Sequence, residues 1–162
     1  MTIESLQLLL LIIIANGAPI LARILLNDQW NVAVDFDAKM ADGNPVLGAS
    51  KTWRGILATL LILPIVALIF GYTAEVGILI AMGTVSGDLF SSFVKRRLGM
   101  EPSSKAPLLD QIPESLIPAL MMMQIFDLSL LGILFLVFAF TVIDMIMTYF
   151  LNHWRVVKSP AD

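Results

Sequence analysis

The chain has 162 residues, of which 58% are hydrophobic and 14% charged, with a mean hydropathy of +0.88. These values exclude an ordinary soluble domain and describe one polytopic membrane bundle with no separate soluble unit. The absence of Cys excludes disulfides and thiolate metal sites, and a single His, His153, excludes a multi-histidine site within one chain. The net charge of −3 says less than where the charges fall, and no nucleic-acid partner is expected.

A membrane helix needs about 20 mainly apolar residues. The first candidate covers residues 6–26, with Asn16 and Pro19 in its middle. Its start has the apolar run of a signal peptide but no Lys or Arg before it, and the apolar pattern continues to Leu26, so a retained helix is expected. A polar segment follows, carrying Asp28, Asp35, Asp37, Lys39, Asp42, Lys51 and Arg54. Further helices are expected over 55–70, 76–94, 112–126 and 128–152, the fourth short and proline-containing (Pro113, Pro118). The predicted fold is therefore all-α: about five transmembrane helices in a single integral membrane domain, residues 1–162. The loops 27–54 and 95–110 form its polar site.

Lys and Arg in short loops set orientation. Lys39, Lys51, Arg54, Lys95, Arg96, Arg97, Lys105, Arg155 and Lys158 fall on one side of a five-helix chain, which is then cytoplasmic. The N-terminus lies outside and the C-terminus inside, in the cell's inner membrane. Trp30, Trp53 and Trp154 sit near the cytoplasmic ends, as interfacial aromatics do.

The third helix carries the most informative residues. Asp88 lies in its apolar run, about two turns before a Lys95-Arg96-Arg97 cluster. An intramembrane Asp costs roughly 2.5–3.5 kcal/mol on insertion scales, so such a residue reads as functional unless it only pairs with a neighbouring cation. Thr84, Asp88, Ser91 or Ser92, and Lys95 share one helix face. A carboxylate and hydroxyls there suit a hard cation such as Mg²⁺, which one or two carboxylates usually hold together with substrate phosphates. Gly83 and Gly87 form a small-xxx-small pattern for close helix approach. Lys95 shares the Asp88 face and is placed to reach the same ligand, whereas Arg96 and Arg97 also read as a lipid anchor.

Asp110 and Gln111 open the fourth helix, where Asp110 reads as a second metal carboxylate, as an N-cap, or as both. In the first loop, Gly48, Lys51, Thr52 and Arg54 lead into a helix start that favours anions, although the spacing is not that of a P-loop. Arg23 and Asp144, the other intramembrane charges, read as an ion pair between the first and fifth helices. The Met121–Met123 run and the Phe-rich fifth helix read as lipid-facing or packing residues.

Three blocks together resemble the CDP-archaeol synthase family, small membrane cytidylyltransferases related to the CDP-diacylglycerol synthases. They are Asp35-Phe-Asp-Ala-Lys39 with Asp42-Gly43, Gly48 and Lys51 to Gly55; Gly87-Asp88 with Ser92 to Gly99; and Pro107-Leu-Leu-Asp110-Gln111. The resemblance implies Mg²⁺-dependent transfer of a cytidylyl group from CTP to a lipid phosphate in the bilayer, giving a CDP-lipid and pyrophosphate. It implies Asp88, Lys95 and Asp110 as catalytic residues, with Mg²⁺ on Asp88 and Asp110. Lys51, Thr52, Arg54, Ser92, Arg96, Arg97 and Gln111 would bind substrate, and Asp35, Asp42 and Asn16 are further candidates. Family analogy and the Gly83–Gly87 face suggest a homodimer, although packing within one chain accounts for the glycines equally. The family pattern commonly has Asp two residues after Gln111's preceding Asp-Gln start, where this chain has Pro113 followed by Glu114. The competing readings are a small transporter or lipid-binding scaffold without catalysis, and a CDP-alcohol phosphotransferase. The first is disfavoured by the lack of an internal repeat and the second by the missing aspartate block.

Overall fold

The computed structural model describes residues 2–27, 29–104 and 106–153, with side chains described to residue 150. Asp28, Lys105, Trp154, Arg155 and Lys158 lie outside the described residues. Five helices follow one another: α1 (Ile3–Leu26), α2 (Trp53–Ile69), α3 (Ala74–Arg97), α4 (Gln111–Met121) and α5 (Leu130–His153). α1, α3 and α5 are long and apolar enough to cross a membrane, and α2 is a shorter apolar helix. This is an all-helical integral membrane protein.

Each of the first three helices starts at a threonine. The hydroxyls of Thr2, Thr52 and Thr73 accept from the backbone N–H groups of Ser5, Gly55 and Val76, satisfying donors that the helix start leaves open. α1 passes through Pro19 without ending, and α2 passes through Pro64. α4 is shorter than the apolar run that predicts it. It stops at Met121, and the chain continues through turns to Asp127 before α5 begins. Its 11 residues rise about 16 Å.

α3 is the central helix, packed against both α2 and α4 through glycines. A Cβ on Gly77 would lie 2.5 Å from Pro64 Cα, one on Gly83 would lie 2.9 Å from Pro118 Cα, and one on Gly87 would lie 2.3 Å from the Pro113 carbonyl oxygen. The close approach expected of Gly83 and Gly87 is thus made by α4 within the chain, so these glycines are not an exposed face for a second copy. The core joins Leu8, Leu11 and Ile12 of α1, Leu63 of α2, Ile80 of α3, and Ile133, Leu136 and Phe140 of α5. Met122 and Phe126, after α4, complete it, while Met121 faces outward. Leu61, Ile65, Leu134, Phe138 and Ile146 cover the outside, where acyl chains replace water.

The ion pairs among the described residues do not join Arg23 to Asp144, the pairing expected from the sequence. Asp144 instead accepts a 2.9 Å hydrogen bond from Gln111 Nε2, because α4 enters beside α5 and brings its first residue to that carboxylate.

Candidate active site

The polar residues converge where α3 leaves the bundle. Asp88 and Lys95 share a face of α3, as their spacing predicts, but each takes its partner from a different loop. Lys51, just before α2, places Nζ 2.5 Å from Asp88 Oδ1. Lys95 places Nζ 2.7 Å from Asp110 Oδ1 and also donates to the Ser104 carbonyl at 3.2 Å. Two loops are therefore tied to one helix by two acid–base pairs. Asp110 makes no side-chain cap to α4, contrary to its N-cap reading. It is turned back, and Oδ2 accepts from Ala106 N at 3.1 Å while Oδ1 meets Lys95.

Glu114 follows the position, Pro113, where the family pattern has its second Asp. Pro113 is occupied by packing, its carbonyl group lying against Gly87. The next side chain, Glu114, reaches Asp88 within hydrogen-bonding distance. The carboxylate missing at position 113 is thus supplied one residue later. The sequence signal was a Glu directly after the proline, one turn into the helix. Three carboxylates surround Lys51 as a result. Burial disfavours its ammonium form, but Asp88, with Glu114 and Asp110 farther off, outweighs this and holds Lys51 above the ordinary lysine range.

The first loop is a built latch. Asp35 Oδ2 accepts from Leu47 N and Gly48 N, both at 2.8 Å, and Asp35 Oδ1 accepts from Asp37 N. Burial pushes the Asp35 carboxyl up, but the N–H groups of Gly48, Leu47 and Asp37 hold it below the ordinary range. Gly48 sits against Pro102 and Arg96 with a φ of +93°, a backbone conformation that favours glycine. Arg97 fastens the same loop. It pairs with Asp42 at 2.6 Å, donates to the carbonyls of Asn44 and Pro45, and stacks over Phe93. Arg54 grips the carbonyls of Asn27 and Gln29, both at 2.6 Å, where α1 ends. Thr52 is the α2 cap. Arg54, Thr52 and Arg97, expected on substrate, hold the loops here, with Arg97 Nε left without a partner. Asn16 bonds to the Ile12 carbonyl inside α1, away from this cluster.

Arg96 is different. It is 2% exposed, lies close to Gly48 of the first loop, and feels the charges of Glu101 and Asp110. Its Nε and Nη1 have no hydrogen-bond partner. Leaving a buried donor unsatisfied costs about 1–3 kcal/mol, and more for a charged group, so this guanidinium is prepared for an anion. Its planar fork matches phosphate oxygens. Ser92 is buried on the same helix, and Ser91 donates to the Asp88 carbonyl. Gln111 is buried between Asp144 and the Leu108 amide.

The donor set fits Mg²⁺. Asp88 and Glu114 bring two carboxylates together in a partly buried place, where their mutual repulsion favours a shared cation. Among the described residues, no three His, Cys, Asp or Glu side chains converge as a metal cage. A hard ion held by one or two carboxylates completes its shell with water and phosphate oxygens, so the arrangement suits an ion that arrives with a nucleotide.

Known proteins match this chain in sequence and in fold. Residues 70–157, which carry Asp88, the basic cluster, Asp110 and Glu114, match the family described as CarS-like: CDP-archaeol synthase. A CDP-archaeol synthase of Hyperthermus butylicus is 34% identical over 116 residues, 68% of this chain and 66% of that protein. The one from Pyrococcus furiosus is 36% identical over 60% of each chain. The chain spans about half to two thirds of the length of the curated relatives it matches. A solved structure, described as an intramembrane enzyme for archaeal membrane lipids biosynthesis, superposes with a TM-score of 0.75 at 28% identity, covering 92% of this chain and 95% of the other. With the family match spanning more than half of its length and the same fold in a solved relative, the chain belongs to the CarS-like, CDP-archaeol synthase family.

Proposed function

We propose that this protein is a CTP:lipid-phosphate cytidylyltransferase whose active site opens at the cytoplasmic face of the cell membrane. An oxygen of the lipid phosphate attacks the α-phosphorus of CTP. The bond from that phosphorus to the β-phosphate oxygen breaks, and the products are a CDP-lipid and pyrophosphate. The lipid phosphate is already anionic, so the chain need not supply a strong base; its task is positioning and neutralisation.

The observation that carries the proposal is the buried guanidinium of Arg96, with Nε and Nη1 unpartnered, set between the latched first loop and the loop that delivers Asp110. Arg96 binds triphosphate oxygens. Lys51 and Lys95 keep Asp88 and Asp110 in place and turn toward phosphate as the nucleotide enters. Asp88 and Glu114 would hold Mg²⁺, with Asp110, on its own lysine, as a further ligand candidate; the ion would neutralise charge on the transferring cytidylyl phosphate and the leaving pyrophosphate. Asp35, Arg97 and Arg54 act one step back, by fixing the loop that carries Gly48 and Lys51. The names of the relatives favour an ether-linked archaeal lipid as acceptor. Family analogy alone now supports a homodimer.

The test is transfer by the purified protein in detergent, with labelled CTP, Mg²⁺ and either an ether-linked archaeal lipid phosphate or phosphatidic acid. A CDP-lipid from the ether acceptor, lost in Asp88→Ala, is expected. Folded protein that forms no CDP-lipid from either acceptor would sink the proposal.

A further inference from the structure

A carboxylate in α5 remains to be explained. Asp144 lies in the most apolar of the membrane-crossing helices, where an Asp is expensive. It does not sit in a nucleotide-sized space. The cleft it borders with Asn16 and Thr148, between α1 and α5, measures about 40 Å³, near the room of a single water. Its described hydrogen bond runs to Gln111 Nε2.

That bond has a directional consequence. A carboxylate oxygen accepting from Gln111 Nε2 fixes which end of the amide faces it. The amide nitrogen turns to Asp144 and the oxygen, Oε1, turns to the Leu108 amide, accepting from it at 2.8 Å. Leu108 has a φ of +71°, a left-handed conformation that a leucine adopts only when its surroundings impose it. Two residues later comes Asp110, with one carboxylate oxygen on Ala106 N and the other on Lys95. The strained turn at Leu108 is therefore what presents Asp110 toward α3, and the amide orientation set by Asp144 holds that turn.

We propose that Asp144 is a positioning residue: through Gln111 it locks the left-handed turn at Leu108 and so sets the aim of the Asp110 carboxylate. The inference rests on the functional reading above for its catalytic consequence, and on the geometry alone for its structural one. It also gives an intramembrane charge a reason to be a carboxylate. An apolar residue would leave the Gln111 amide free to turn, and a cation would reverse it.

Two readouts test it on the full-length protein in detergent or nanodiscs. Amide hydrogen exchange over residues 106–112 reports the turn without any need for activity. The Mg²⁺ concentration dependence of transfer reports Asp110. In Asp144→Leu the Leu108 region is expected to exchange roughly tenfold faster, the equivalent of losing one charge-assisted hydrogen bond. The Mg²⁺ requirement is expected to rise while overall thermal unfolding changes little. Asp144→Asn keeps an acceptor oxygen at the same place and should restore most of the protection. Adding Asp144→Leu to Gln111→Leu should cost little more than Gln111→Leu alone, because both act on one link. Unchanged exchange in Asp144→Leu would overturn the inference, as would fully additive effects or an Asp144→Asn variant as unprotected as the leucine. If the wild type transfers no cytidylyl group, the functional reading fails, and the exchange comparison still decides this one.

Discussion

Gly87→Ala tests the architecture and the site together. The added methyl would sit 2.3 Å from the Pro113 carbonyl oxygen, 2.5 Å from its carbon and 2.7 Å from Glu114 N, whereas real Cβ contacts essentially never fall below 3.0 Å. All three atoms are backbone, so no side chain can rotate away, and α4 must retreat from α3 by about 0.7 Å to clear the oxygen. Overpacking of this kind costs about 1–3 kcal/mol, and alanine's better helix propensity returns up to about 1 kcal/mol. The same retreat draws Glu114 from Asp88, and displacements near 1 Å at a reacting centre can cost on the order of 100-fold in rate. Thermal unfolding in detergent, with cytidylyl transfer measured on the same samples, separates the two effects. Gly77→Ala meets Pro64 and Leu63 backbone nearly as closely, at 2.5–2.8 Å, but at the α2 contact, so it should lower stability with a smaller loss of rate. Gly17→Ala meets nothing within 4 Å and should leave both intact. A Gly87→Ala protein as stable and active as the wild type would refute the packing argument.

Arg96→Met removes two unpartnered buried donors, so the unliganded protein should be as stable as before or more so, while the KM for CTP rises roughly 10- to 100-fold, the scale of a lost charge-assisted phosphate contact. A clear loss of stability would show that Arg96 is structural; unfolding curves and kinetics on one preparation decide it. Asp35 is ionised and latched in the fold with its carboxyl held below the ordinary value of 3.8, so its contribution is present above that pH and disappears as the pH falls through the lowered value. Tryptophan fluorescence from the Trp30 and Trp53 region should therefore change in acid below about pH 3.8 in the wild type, and the change should be smaller in Asp35→Asn, where the Asp42–Arg97 fastening of the same loop still titrates. Chelation of divalent cations should abolish transfer and Mg²⁺ should restore it, whereas Glu114→Gln should raise the Mg²⁺ concentration needed for half-maximal activity; unchanged metal dependence would remove Glu114 from the ion.

The parts of the molecule governed by periodicity were legible in the chain. Apolar runs marked the helices, and the Gly83–Gly87 spacing marked a close helix contact. A three-, four- and seven-residue recurrence put Asp88 and Lys95 on one face of α3. What sequence spacing does not contain is which loop each of those residues meets. Lys95 and Asp88 read as one face meeting one ligand, yet Lys95 goes to Asp110 and Asp88 to Lys51, because each loop brings its own partner to that face, two turns apart. Arginines read as phosphate binders divided by the same logic. Arg54 and Arg97 found loop carbonyls and Asp42, with Arg97 keeping only Nε open, and Arg96, one position away and on another face, was left with both Nε and Nη1 open. Asp144 was matched by charge to Arg23, but the entry of α4 beside α5 gave it Gln111. The end of α4 was misplaced because an apolar run does not reveal where a short helix gives way to turns. Glu114 needed the Pro113–Gly87 contact to show which way the helix turns its carboxylate.

The most direct test of the central claim follows the phosphorus atoms of CTP. The protein would be incubated with Mg²⁺ and an ether-linked lipid phosphate, using CTP labelled either at the α- or at the γ-phosphorus. The account predicts that the α label moves into lipid and the γ label leaves as pyrophosphate, in equal amounts and at the same rate, with both lost in Asp88→Ala. Pyrophosphate release without label in lipid, or no turnover by protein whose unfolding curve shows it is intact, would contradict it.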